Sequence, residues 1–368
     1  MALSVGIVGL PNVGKSTLFN ALLQSAKASA ANYPFCTIDP NIGVVEVPDD
    51  RLYEIAKLEK SRKITPTFIE FVDIAGLVRN ASKGEGLGNQ FLSHIREVDA
   101  IAMVLRCFEN ADVVHVEGSV DPIRDAQIID LELIAKDLET IDKRLEKVEK
   151  MARLGDKKVR EELEFLMHIK SILENMEPLR RCSERLPSEL LEYAKKNLFL
   201  LSLKPLLYVA NVGDGDLPSG NSMSEKVFEY AREEGSPAVL ICAKLEEELI
   251  GLEAHEKEEL LKSYGLQEPG LNKLIREAYK LLNLITFFTA GEKETRAWTI
   301  KRGAKAPQAA GKIHSDFERG FIAAEVINYQ EYAKVGSINR AKELGLIRLE
   351  GKDYVVKDGD IVYFRFNV

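Results

Sequence analysis

The chain alternates between short apolar runs and longer stretches of helical spacing. Residues 3–8 (L-S-V-G-I-V), 68–72, 100–105, 205–210 and 239–241 are apolar and of strand length, and they predict buried strands. Residues 17–23 (T-L-F-N-A-L-L) carry helical spacing soon after the first of them. Between residues 121 and 197 the pattern becomes helical and strongly charged. Ile134, Leu138, Ile141, Leu145 and Val148 step by four, three, four and three, the seam of an a/d heptad. Residues 151–157 contain Gly155 and break the run; Val159, Leu163, Leu166 and Leu173 then predict a second helix. Two such helices joined by a short turn form an antiparallel hairpin whose seams zip together. From residue 284 the runs are short again, at 284–288, 295–300, 320–326, 354–356 and 361–366. A helix-like stretch at 329–344 and a K-D-G-D turn at 357–360 accompany them. A small mixed sheet with one or two helices fits that last segment.

The first strand runs into Gly9-Leu10-Pro11-Asn12-Val13-Gly14-Lys15-Ser16, which satisfies the phosphate-loop pattern G-x-x-x-x-G-K-[ST] between a strand and a helix. The residue types explain the chemistry. Glycines let backbone N–H groups turn inward on a polyphosphate, and the following helix presents its positive end. Amides of Asn12, Val13, Gly14, Lys15, Ser16 and Thr17 are the candidate phosphate donors. Lys15 would reach the β- and γ-phosphates, and Ser16 would ligate Mg²⁺. Thr37, in the proline-containing loop 32–41, is a second Mg²⁺ and γ-phosphate candidate. The strand 68–72 ends in Asp73-Ile74-Ala75-Gly76. Asp73 suits a carboxylate acting on the metal's water shell, and the Gly76 N–H suits the γ-phosphate.

Position 77 changes the catalytic picture. Many signalling GTPases place a water-orienting Gln after D-x-x-G; here Leu77 cannot bond water, so help must come from elsewhere. Asn12 is a candidate to hold a monovalent cation such as K⁺ near the phosphates. His115, in the stretch after the strand 100–105, is a candidate to position or deprotonate water. His94 and His168 fall in helical segments and read as structural. For the base, Asn211-Val212-Gly213-Asp214 stands where GTPases carry N-K-x-D, with Val212 in place of the Lys. Asp214 would suit guanine N1–H and the 2-amino group, while Asn211 could bond the adenine 6-amino group or N7. Cys242-Ala243-Lys244 resembles the S-A-K loop that packs on the base.

Composition narrows the class. The chain has 368 residues, 45% hydrophobic and 29% charged, ordinary for a globular protein and long enough for two or three domains. Its net charge of -8 argues against a protein that coats nucleic acid non-specifically. Residues 283–368 carry 14 Lys and Arg against 11 Asp and Glu, a mildly basic tail that permits a local RNA contact. Cys36, Cys107, Cys182 and Cys242 lack metal-like spacing and read as reduced thiols. No run approaches membrane-spanning length and the first strand starts almost at Met1, so a cytoplasmic protein without membrane contact is expected.

These motifs, with N-Y-P-F-C-T-I-D-P-N, K-G-E-G-L-G-N-Q, R-A-W-T-I and A-P-Q-A-A-G-K-I-H-S-D-F-E-R-G-F, resemble the YchF family. These are the Obg-like ATPases of the translation-factor branch of phosphate-loop GTPases, and the resemblance covers essentially the full length. It implies an α/β Ras-like nucleotide-binding domain (1–120 and 198–282), an inserted coiled-coil hairpin (121–197) and a C-terminal TGS domain of ubiquitin-like β-grasp shape (283–368). It implies ATP preferred over GTP, slow hydrolysis, a hydrophobic residue at the catalytic Gln position (Leu77), a catalytic histidine falling on His115, and association with ribosomes. The partner expectation is the ribosome, its large subunit foremost, or RNA, met by a monomer. One departure is Asp214, where the family often has Glu. Rival readings are a GTPase using Asp214, a nucleotide-gated binding module with incidental hydrolysis, and an RNA-binding scaffold acting through the basic tail.

Overall fold

The computed structural model describes residues 3–29, 41–74, 89–110, 118–152 and 157–367. Two six-stranded sheets organise the chain. The first has the order β2 (Ile42–Glu46), β4 (Phe68–Asp73), β1 (Ser4–Val8), β5 (Ala100–Arg106), β6 (Leu206–Asn211), β7 (Ala238–Ile241). The pairs β4–β1, β1–β5, β5–β6 and β6–β7 are parallel. Every residue of β1, β5 and β6 is buried, which is why those strands read as continuous apolar runs. The chain order reverses at β1, with β4 on one side and β5 on the other. That is the switch point at which open α/β sheets bind ligands, beyond the carboxyl ends of the strands.

The helical insert follows β5. Helix Pro122–Ala152 has 31 residues and helix Lys157–Glu174 has 18. Ile134, Ile141, Leu145 and Val148 pack with Leu166 and Leu173, with Leu138, Val159 and Leu163 half-buried beside them, as the heptad seam predicts. Arg144 meets Glu162 at 2.6 Å and Lys170 meets Asp142 at 2.7 Å, so the helices run antiparallel. The insert is tied down by buried polar groups. Asp137 accepts the Leu201 and Ser202 N–H groups at 2.7 and 2.8 Å and the Ser202 hydroxyl at 2.7 Å. Arg180 bridges Asp130 and Glu234, each at 2.6 Å. Removing Arg180 would strand the buried Asp130 carboxylate, while Glu234 would keep Arg181 at 2.8 Å.

The second sheet has the order β11 (Arg348–Glu350), β10 (Phe321–Asn328), β12 (Asp360–Phe366), β8 (Leu284–Thr289), β9 (Thr295–Lys301), β3 (Ile64–Thr65). β8 and β12 are parallel at its centre, while β8–β9 and β10–β12 are antiparallel. Helix Ala306–Ile313 buries Ala306, Ala309 and Ala310 in the core formed by one face. This is the β-grasp arrangement.

Three expectations need correction. Residues 354–356 form no strand, only a bridge from Val355 to Lys305. The stretch 329–344 is two helices, Tyr329–Val335 and Ile338–Glu343, separated where Gly336 takes φ 79° and Ser337 caps the second. The C-terminal unit also begins earlier in the chain than residue 283. Among the described residues, one compact unit draws on 3–24, 41–43 and 70–274, the other on 25–29, 44–69 and 275–367. Within the latter, Leu52 and Ile55 of helix Asp50–Glu59 pack with Phe288, Ile327 and Tyr332, and β3 pairs in parallel with β9.

Candidate nucleotide-binding site

The loop from Gly9 to Lys15 leaves β1 at the switch point. A Cβ on Gly9 would lie 2.7 Å from the Val104 carbonyl of β5, so the first glycine lets the loop pass that strand closely. Asn12 and Gly14 adopt the left-handed region, at φ 64° and 88°. For Gly14 a side chain is excluded twice over, because a Cβ there would meet Asn211 Nδ2 at 2.1 Å. The helix Lys15–Ser29 starts at the lysine and directs its first N–H groups toward this loop. Ser16 is exposed on its first turn and Thr17 is half-buried.

Lys15 is buried, and its Nζ lies 3.4 Å from Asp73 Oδ1 at the end of β4. Burial presses its pKa down while Asp73 opposes that, so the ammonium is held beside a carboxylate in a poorly solvated setting. The register of β1 against β4, with Ile7 opposite Asp73, brings the two together.

Asn211, the last residue of β6, is buried and uses its side chain inside the protein. Its Nδ2 donates to the Val13 carbonyl at 2.8 Å, and its Oδ1 accepts the Ala243 N–H at 3.0 Å. It therefore staples the phosphate loop to the loop after β7. Val212 is also buried, and its N–H donates to the Ile241 carbonyl at 2.8 Å. Cys242 is buried, and burial raises its thiol pKa. Asp214 is half-buried, its side chain reaching solvent, with Oδ2 2.8 Å from Lys244 Nζ and Oδ1 accepting the Gly215 N–H at 2.9 Å. The Lys244 hydrogen bond, with the Gly215 amide, keeps its pKa below the usual carboxylate range.

The structure thus brings Asn12 to Thr17, Asp73, Asn211, Asp214 and Ala243 to one end of the first sheet. Thr37, Gly76, Leu77 and His115 lie outside the described residues. Sequence reasoning missed Arg106 and Glu246. Arg106 is buried at the end of β5, with Nε donating to the Phe108 carbonyl at 3.1 Å and its guanidinium over the Phe108 ring. An arginine closing an otherwise apolar strand was the available signal. Glu246 Oε1 accepts the Gly270 N–H at 2.6 Å at the start of helix Gly270–Leu281, just beyond the base-side loop.

A cradle of loop amides, one ammonium and one carboxylate at a switch point is chemistry for a magnesium-bound nucleoside polyphosphate. Residues 4–159 match the family described as 50S ribosome-binding GTPase, and residues 284–367 match the YchF-GTPase C-terminal family, described as a protein of unknown function. The chain is 54% identical to the Ribosome-binding ATPase YchF of Bacillus subtilis, over 100% of both chains. It belongs to the YchF family. It is also 52% identical to the Haemophilus influenzae protein and 51% identical to that of Escherichia coli O157:H7, both with the same name and full coverage. The solved structure of the Schizosaccharomyces pombe YchF GTPase superposes with a TM-score of 0.90 at 40% identity, covering 99% of this chain and 98% of that one. The YchF fold, a phosphate-loop GTPase-type α/β domain with a β-grasp C-terminal domain, is therefore that of this chain. No helix among its described residues is long and apolar enough to cross a membrane.

Proposed function

We propose that this YchF-family member is a ribosome-binding ATPase of the cytoplasm that hydrolyses ATP to ADP and phosphate and switches partner contacts with the nucleotide state. The observation that carries the reading is the glycine loop with Lys15 3.4 Å from Asp73, in a chain 54% identical over its length to a protein named Ribosome-binding ATPase YchF. The loop amides from Asn12 to Thr17 bind the phosphates, and Lys15 neutralises charge on the β- and γ-phosphates. Asn211 holds the loop in shape, and His115 orients the attacking water where Leu77 cannot. Catalysis is then mainly positioning and charge stabilisation for an in-line displacement at the γ-phosphorus.

The donor set suits Mg²⁺. Ser16 offers a hydroxyl and Asp73 a carboxylate, both hard oxygen donors, with Thr37 the further candidate. Among the described residues no group of three or more His, Cys, Asp or Glu could hold a metal alone. When bound, Mg²⁺ supplies charge neutralisation across the phosphates. Asn12, held at φ 64° in the same loop, is our candidate to orient a K⁺ ion.

A second reading, hydrolysis of GTP, is favoured by Asp214 at the guanine-reading position. Calorimetric titration with ADP, GDP and non-hydrolysable ATP and GTP analogues separates the two, with tighter binding of the adenine series expected. Lys15→Ala should abolish measurable triphosphate binding and turnover; retention of both would sink the reading. Co-sedimentation with ribosomal subunits tests the partner, for which we propose the large subunit and a monomeric chain.

A further inference from the structure

The base end of the site carries an ion pair that the reading above leaves unused. Guanine recognition from an N-x-x-D sequence needs both oxygens of the Asp, one for N1–H and one for the 2-amino group. Both oxygens of Asp214 are engaged within the protein, Oδ2 by Lys244 Nζ at 2.8 Å and Oδ1 by the Gly215 N–H at 2.9 Å. The two charged partners are set at this distance by the backbone. Asp214 follows three residues after Asn211, and Lys244 follows directly on Ala243, whose N–H is held by Asn211 Oδ1 at 3.0 Å. Glu248, one turn along helix Ala243–Glu248, lies 3.9 Å from the same ammonium. Guanine N1–H and its 2-amino group would compete with Lys244 and the Gly215 N–H for that carboxylate, and the neighbouring ammonium, already near Glu248, sets the cost of that competition. Adenine has neither an N1–H nor a 2-amino donor and leaves the pair intact.

We propose that Lys244 is a specificity-determining residue: by engaging Asp214 it withdraws the guanine-reading carboxylate and tilts the site toward adenine nucleotides. The inference rests on the adenine-nucleotide reading above. Both side chains are solvent-facing, 67% exposed for Lys244 and 43% for Asp214, so the bias is modest and substitutions there are tolerated by the fold.

The test is calorimetric titration of the full-length wild type, Lys244→Met, and Lys244→Met with Asp214→Asn, using Mg-ADP and Mg-GDP. Methionine keeps an unbranched apolar stem for packing on the base and removes the charge. In Lys244→Met the ratio of ADP to GDP affinity should move toward GDP by about threefold or more, the scale of an exposed ion pair. The double variant should lose that gain. An unchanged ratio, or a gain that persists without the Asp214 carboxylate, overturns the proposal. A wild type that prefers GDP overturns the adenine reading itself, and that result is read before any variant is made.

Discussion

At the scale of single residues, Asn211 decides how the site is built. Its amide satisfies two buried backbone groups, the Val13 carbonyl and the Ala243 N–H, at 2.8 and 3.0 Å. Asn211→Ala leaves both without that partner and should cost about 1–3 kcal/mol of stability, measured by denaturant unfolding. Because the residue holds the phosphate loop, ADP and GDP affinities should fall together, by tenfold or more in titration. A loss confined to ADP would instead mark Asn211 as a reader of the base. Asn211→Asp should rescue little, since a carboxylate oxygen would then face the Val13 carbonyl. Asn211 and Lys244 therefore predict different signatures, a common loss and a changed ratio, although one backbone hydrogen bond links them.

At the scale of elements, Glu246 joins the base-side loop to helix Gly270–Leu281, and its environment sets a pH dependence. Burial pushes its carboxyl up to about 7, against the Gly270 and Leu271 amides that favour the charged form. A carboxyl raised in the folded state binds its proton more tightly there than in the unfolded chain. Its stabilising effect is full below its unfolded value of 4.5 and is lost as pH rises through about 7. The folded protein should weaken by about 2–3 kcal/mol across that window through this group. Glu246→Gln should flatten the dependence of the urea midpoint between pH 5 and 8; an unchanged slope would rule the linkage out. Elements were legible where one pattern settled them. β1, β5 and β6 are apolar at every position because both faces are covered, and the hairpin seam is a heptad. The phosphate loop was legible because its glycines and Lys15 serve local needs. β3, two residues long, was not, since its pairing with β9 depends on a partner more than two hundred residues away. The pair of hydrogen bonds made by Asn211 was hidden for the same reason, because it depends on the register of β6 and the loops that meet there.

At the scale of the whole molecule, the order of the chain and the division into compact units disagree, and this has a consequence for dissection. Helix Asp50–Glu59 lies between two strands of the first sheet in sequence, yet Leu52 and Ile55 are buried with Phe288, Ala297, Ile327, Tyr332 and Ile361 of the C-terminal unit. Arg51 pairs with Asp358 at 2.7 Å and sits over the Phe288 ring, and Thr65 bonds Glu294 at 2.6 Å. A chain ended at residue 282 would thus expose Leu52 and Ile55 and leave β3 without a neighbour. Burying those two side chains is worth about 3–6 kcal/mol, a large share of the stability of a domain. The shortened chain should be poorly soluble and unfold at a lower temperature than the full chain. Replacing Leu52 and Ile55 with Gln in the shortened chain should recover solubility without recovering the transition temperature. Calorimetry and sedimentation velocity on the three chains check this, and a shortened chain as soluble and as stable as the full one would show that residues 44–69 owe nothing to the C-terminal sheet.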